Sequence, residues 1–119
     1  MTMVAFMLLS LRMNHRLIEY LEGGDKSPFG EWFTDLDAVT AARVDKYLRR
    51  MEQGNFGDSK GVASGVQELR MDFGPGYRVY YGKEGTTLII LPGGSDKRRQ
   101  SHEIARAIRR WEMYKKGGK

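Results

Sequence analysis

The stretch ELRMDFGPGYRVYYG, Glu68 to Gly82, constrains the fold more than any other part of this chain. Two runs rich in Leu, Phe, Tyr and Val flank Gly74-Pro75-Gly76, which reads as the connection of an antiparallel hairpin. A three-residue loop sets Arg70 across from Tyr80 and Asp72 across from Arg78. It also gathers Leu69, Met71, Phe73, Tyr77, Val79 and Tyr81 on one face, and Glu68, Arg70, Asp72, Arg78 and Tyr80 on the other. A two-residue loop would mix the two sets, because side chains alternate along a strand. One face is therefore core and the other a polar patch.

Around this hairpin the pattern predicts β-α-α-β-β-β-α. Arg16 to Leu21 reads as the first strand, closed by Gly23-Gly24-Asp25 through Pro28. Trp32, Phe33 and Leu36 fall at helical spacing, and Asp37 is placed to cap a second helix with the stripe Ala41, Val44, Leu48 and Met51. Arg43, Lys46, Arg49 and Arg50 form the wet side of that helix. Gly54 to Asp58 ends it, and Val66–Phe73, Tyr77–Gly82 and Thr86–Leu91 follow as three strands. Leu88 to Leu91 is apolar on both faces and suits a strand covered on both sides, and Pro92-Gly93-Gly94 is expected to stop it in a turn. Ile104, Ile108, Trp111 and the aliphatic stem of Lys115 mark a C-terminal helix. The fold class is α+β, a helical hairpin and a C-terminal helix packed on a small, mainly antiparallel twisted sheet.

A chain of 119 residues that is 40% apolar suffices for one domain, taken as residues 13–119. Residues 1–12 read as an extension or a misassigned start, the alternative being a short element on the core. Their apolar run, Val4 to Leu11, lacks a basic flank and is too short for a bilayer, so no membrane is expected as a partner and a cytoplasmic location is. With no cysteine and only His15 and His102, neither a metal site nor a cofactor is expected. Residues 97–119 hold nine Lys or Arg and two Glu, a balance of +7 against −2 for residues 1–96. Such a block is either a solvated helix face or an electrostatic footprint for nucleic acid or an acidic protein.

Two accounts of the polar patch are open. In one, Arg78 pairs Asp72 and Arg70 pairs Glu68 on a wet sheet face, worth at most about 1 kcal/mol each. In the other, guanidinium groups beside tyrosines hold phosphates and stack bases, and a concave sheet cradles RNA. RNA cleavage needs a base for the 2′-OH, cations for the phosphorane and a proton for the 5′-oxygen. Lys60, Arg70, Arg78, Tyr80 and Lys97 are the parts available, although spacing alone brings neither lysine to the patch.

The runs GNFGDSK (54–60), GVQELRMDFGPGYRVYYG (65–82), Gly93-Gly94 and the Lys97, Gln100, Ile104 spacing resemble the RelE/ParE toxin superfamily. The branch they resemble is the HigB-like addiction-module killer proteins, over roughly residues 16–114. The resemblance implies a RelE-like fold and the toxin of a type II toxin-antitoxin system, a ribosome-dependent, metal-independent mRNA endonuclease that inhibits translation. It implies as partners the ribosome, its mRNA and an antitoxin, often with a helix-turn-helix domain. Carried over by motif, the site would comprise Lys60, Arg70, Arg78, Lys97 and Gln100. Arg70 and Arg78 would bind the scissile phosphate, Lys60 or Lys97 would act as base or charge stabiliser, and Tyr80 would stack or relay a proton. Arg98, Arg99, Gln100, Arg106, Arg109 and Arg110 would grip RNA. The chain departs from the family in Ser95, inserted before Asp96-Lys97, and in its N-terminal extension.

Two other readings use the same residues: a ParE-like gyrase inhibitor without nuclease activity, and an inactive remnant that only binds its antitoxin. Trp32 and Trp111 are read as core anchors, and His102 as solvent-facing near a helix start.

Overall fold

Leu88, Ile89, Ile90 and Leu91 are all buried, as their unbroken apolar run predicts, and the rest of the fold is laid on either side of them. The computed structural model describes residues 14–94 and 99–117. The expected extension over residues 1–12 and the loop carrying Ser95 and Lys97 lie outside the described residues. The elements are β1 (Arg16–Glu19), α1 (Pro28–Thr34), α2 (Ala38–Glu52), β2 (Asp58–Ala63), β3 (Val66–Arg70), β4 (Arg78–Glu84), β5 (Thr87–Gly94) and α3 (Gln100–Lys115). The five described strands form one sheet in the order β1-β5-β4-β3-β2. β1 runs parallel to β5, and the other pairings are antiparallel. The class is α+β.

Both helices of the expected pair are present, each begun by its own cap. The Ser27 hydroxyl accepts from the Gly30 N–H at 2.8 Å with Pro28 in the first turn of α1, and Asp37 accepts from the Thr40 N–H at 2.9 Å ahead of α2. Those bonds to Thr40 hold the Asp37 carboxyl below the usual carboxylate range. Packing then fixes the helices in place. Phe29, Val44, Leu48 and Met51 meet Leu69, Met71, Val79, Tyr81, Leu88 and Ile90 on one face of the sheet. Burying each such aliphatic side chain contributes about 1.5–3 kcal/mol, well above the few tenths that separate helix propensities.

On the opposite face α3 lays Ala107, Trp111 and Tyr114 over Tyr20, Val66, Tyr80, Ile89 and Leu91. Trp111 is a core anchor there, and Trp32 packs at the margin of the first core. His102 is exposed in the first turn of α3, as expected. Among the described residues no helix is long and apolar enough to cross a membrane.

Three expectations need correction. An additional strand, β2, precedes the expected three, so the order is β-α-α-β-β-β-β-α. Its residues, DSKGVA, show no apolar alternation; the pairing is imposed by β3 through the Ser64-Gly65 connection, where both residues have positive φ (53° and 87°) as a tight hairpin turn requires. The central hairpin keeps its predicted parity but is displaced in register: Arg70 faces Arg78, and Glu68 faces Tyr80. The connection is longer than Gly74-Pro75-Gly76. It runs from Met71, whose N–H bonds the Tyr77 carbonyl at 2.9 Å, and an inner turn joins the Gly76 N–H to the Phe73 carbonyl at 3.1 Å.

The third correction concerns the double glycine, which ends β5 rather than forming a turn. The β4–β5 register shifts between Val79 and Tyr81, so Leu91 and Pro92 together oppose Tyr80 in a bulge, a position in a sheet that tolerates proline. Past the bulge, Gly93 faces Trp32 on one side of the sheet and Gly94 faces Glu103 on the other; a Cβ at Gly93 would lie 2.5 Å from the Trp32 ring, and one at Gly94 would coincide with the Glu103 carboxylate. Gly93→Ala is therefore expected to lower the unfolding free energy by about 1–3 kcal/mol, the usual range for overpacking. Urea midpoints read the loss, and Trp32→Leu introduced alongside should recover most of it.

Candidate functional site

The strand register brings the candidate residues together in two rows on the sheet face that α3 partly covers. The first row is Asp58, Arg70, Arg78 and Gly94, one residue from each of β2, β3, β4 and β5. The second, two residues along each strand, is Lys60, Glu68 and Tyr80. Neighbours within a row stand on strands about 4.8 Å apart, close enough for side chains to share one ligand. Lys60, which spacing alone could not place, thus lies beside Glu68 and next to the Asp58–Arg70 pair. Lys97 and Arg98 lie outside the described residues.

The rows run from wet to dry. Asp58, Lys60 and Arg70 are exposed near the β2 edge, whereas Arg78 retains 4% of its accessible surface and Glu68 and Tyr80 none. The first turn of α3 closes the dry end: the Gln100 side-chain amide donates to Glu68 Oε2 at 2.8 Å, and Arg78 Nε stands 3.7 Å from the same oxygen. Arg78 is therefore held by Glu68, not by Asp72. Arg70 carries no ion pair among the described residues, so its expected pairing with Glu68 is absent.

Burial also corrects the picture of a sheet face open to stacked bases. Tyr80 lies beneath α3, where no base can reach its ring. Burial, then the nearby Glu68 and Glu103 carboxylates, push its hydroxyl above the ordinary tyrosine range, against the pull of Arg78. Burial pushes Tyr81 up as well. The Tyr80 hydroxyl, Glu68 Oε1 and Arg78 Nε have no hydrogen-bond partner among the described residues, which makes this the most polar part of the interior.

The accessible part of the site is a cleft of about 420 Å³ at the tip of the central hairpin. Asp58, Arg70 and Arg78 line it together with Met71, Asp72 and the Phe73–Gly76 turn. Two guanidinium groups thus line one cleft, and guanidinium N–H groups are the donors that a phosphate oxyanion takes best. Asp58 adds an exposed carboxylate able to accept a proton, and Lys60 a cation able to supply one. Among the described residues, no group of three or more His, Cys, Asp and Glu side chains is arranged to hold a metal ion.

The remaining predicted residues are elsewhere. Arg99 is exposed just before α3, and Gln100 spends its amide on Glu68. Arg106, Arg109 and Arg110 line a separate groove with Tyr20, Glu22 and Met113, where Arg110 Nε bonds Glu22 Oε1 at 2.9 Å. Sequence reasoning missed Asp58 and Glu103, and treated Glu68 only as an ion-pair partner. The Ser64-Gly65 turn was the signal for Asp58 and for the place of Lys60. Nothing in the sequence marks Glu103, whose position depends on α3 docking over Gly94.

Glu68 neutralises a buried guanidinium, and its removal strands that charge. Glu68→Ala is expected to cost about 3–5 kcal/mol in chemical unfolding, and Glu68→Gln less. The fold also holds the Tyr80 proton at pH values where the unfolded chain gives it up, so the stability this group contributes is complete below about pH 10 and is lost as pH rises beyond it. Between about pH 9 and about pH 11, urea midpoints of Tyr80→Phe should fall less than those of the unsubstituted protein.

No family model matches the chain, and no solved structure matches it. A relative, described as an uncharacterized protein of Haemophilus influenzae (strain ATCC 51907 / DSM 11121 / KW20 / Rd), is 41% identical over 80 residues, which make up 66% of this chain and 81% of the relative.

Proposed function

For a chain that belongs to the same family as this Haemophilus influenzae protein, we propose the function of a ribosome-dependent endoribonuclease, the toxin of a toxin-antitoxin pair. The observation that carries the reading is the row Asp58–Arg70–Arg78 with Lys60 alongside, opening on a cleft that suits a phosphate. The element order and a sheet with one parallel edge strand are compatible with a RelE-like fold, and the toxin-like motifs at 54–60, 65–82 and 93–94 fall on β2, the β3–β4 hairpin and the end of β5.

In this reading Arg70 and Arg78 hold the scissile phosphate. Asp58 accepts the 2′-OH proton, the 2′-oxygen attacks phosphorus, and the bond to the 5′-oxygen breaks. Lys60 supplies the proton that the departing 5′-oxygen takes up. The products are a 2′,3′-cyclic phosphate and a 5′-hydroxyl. Glu68 pairs with Arg78 across 3.7 Å without entering the cleft, so Glu68 is a positioning residue. An antitoxin and the ribosome are the proposed partners.

Primer extension on a message incubated with purified protein, with and without translating ribosomes, tests the proposal. Cuts are expected only with ribosomes. Arg70→Gln, at an exposed position, should slow them by about 10²-fold or more, the usual loss on removing a donor to a developing oxyanion. Equal cleavage by the variant would overturn the role of Arg70. Intact message with broken DNA would instead indicate a gyrase inhibitor.

A further inference from the structure

Helix α2, whose outer charges the sequence suggests are only its wet side, carries cations of two kinds. Arg49 is tied twice, to Asp45 at 3.4 Å and to Glu52 at 2.6 Å. Arg43, Lys46 and Arg50 have no carboxylate partner among the described residues. These three recur at i, i+3 and i+7, which puts them on one stripe about 10 Å long.

Aromatic rings accompany the unpaired cations. Arg43 lies over Phe73 at 5.4 Å and Arg50 over Tyr47 at 5.1 Å, and the Tyr47 and Phe73 rings stack with centroids 6.0 Å apart. Together with Lys46 and Asp72 they wall a groove of about 220 Å³. Phe73 and Asp72 also line the arginine cleft, so the two depressions adjoin across the hairpin turn that carries these residues.

We propose that this groove carries the sugar–phosphate backbone of single-stranded RNA on one side of the phosphate held in the arginine cleft; the inference rests on the nuclease reading above. Cations without carboxylate partners, held in a row by the rings between them, form a track for a polyanionic backbone, because each phosphate meets a charge that no carboxylate already neutralises. Pairing of Arg49 away from the groove, beside the unpaired Arg50, is the distribution an anionic ligand on one face of the helix calls for. Asp72, at the junction, opposes the phosphate and limits affinity there.

Fluorescence anisotropy with end-labelled oligouridylates of about 4 and about 12 nucleotides tests this, at several salt concentrations. The variant is Arg43→Gln, Lys46→Gln, Arg50→Gln, with thermal unfolding to confirm that it folds. Its binding of the longer oligomer should weaken at least tenfold, and the slope of log K against log salt should fall by about 2, near 0.7 per phosphate lost. Binding of the shorter oligomer should be unchanged. Arg70→Gln should weaken both, and Asp72→Asn should tighten the longer one several-fold. Unaltered binding of the longer oligomer by the triple variant, with Arg70→Gln still weakening both, would overturn this inference and leave the nuclease reading standing. No effect of Arg70→Gln on either oligomer would overturn both. Loss of poly-glutamate binding by the triple variant, with RNA binding intact, would overturn the inference in favour of an acidic protein partner.

Discussion

Burial of β5 on both faces is the constraint from which the rest of the architecture follows. A strand with no wet side needs a helical layer above and below, and this chain supplies them from its two ends: α1 and α2 from the N-terminal half, α3 from the C-terminus. β4, which lies between β5 and β3, inherits the same condition, so its polar residues have to be accommodated inside. Arg78 is therefore not a surface charge that happens to be paired. It is an interior guanidinium whose desolvation is offset by Glu68 from the next strand, and Gln100 ties that carboxylate to the helix above.

The same constraint divides what could be read in the sequence from what could not. Side-chain parity in the central hairpin was legible, since alternation depends only on whether the turn holds an odd or an even number of residues, and every apolar member of the predicted face is in the first core or packed against it. Absolute register was not legible, because Gly74 and Gly76 at positive φ permit a wider connection than the shortest one. The cap at Asp37 and the buried stripe Val44, Leu48 and Met51 were local signals and could be read directly. β2 was hidden, since an edge strand made of Asp, Ser, Lys and Gly is held by its neighbour's hydrogen bonds rather than by its own pattern.

For the candidate site, residue types were legible and depth was not. Arg70 and Arg78 look equivalent in the sequence, one on each arm of the hairpin, yet one is exposed and the other almost fully covered. The difference comes from α3, which crosses one end of the face and leaves the other open. No local pattern records where a helix joined through residues 95–98 comes to rest. The site is thus a graded one, with exposed cations at its edge and a buried ion pair at its base, and the two ends differ in the room they have to follow a ligand.

The bulge opposite Tyr80 separates the length of β5 from its composition. One additional residue at Leu91-Pro92 reverses the parity of everything after it, so Gly93 meets Trp32 and Gly94 meets Glu103. If the ladder ran on regularly with every residue kept, Pro92 would oppose Val79 and Gly93 would oppose Arg78, both glycines would be turned over, and each flanking layer would face the wrong neighbour. Removing one residue at Leu91-Pro92 would instead leave Gly93 opposite Val79 and Gly94 opposite Arg78, so β5 should lose a residue at the bulge far more easily than in the regular ladder that precedes it.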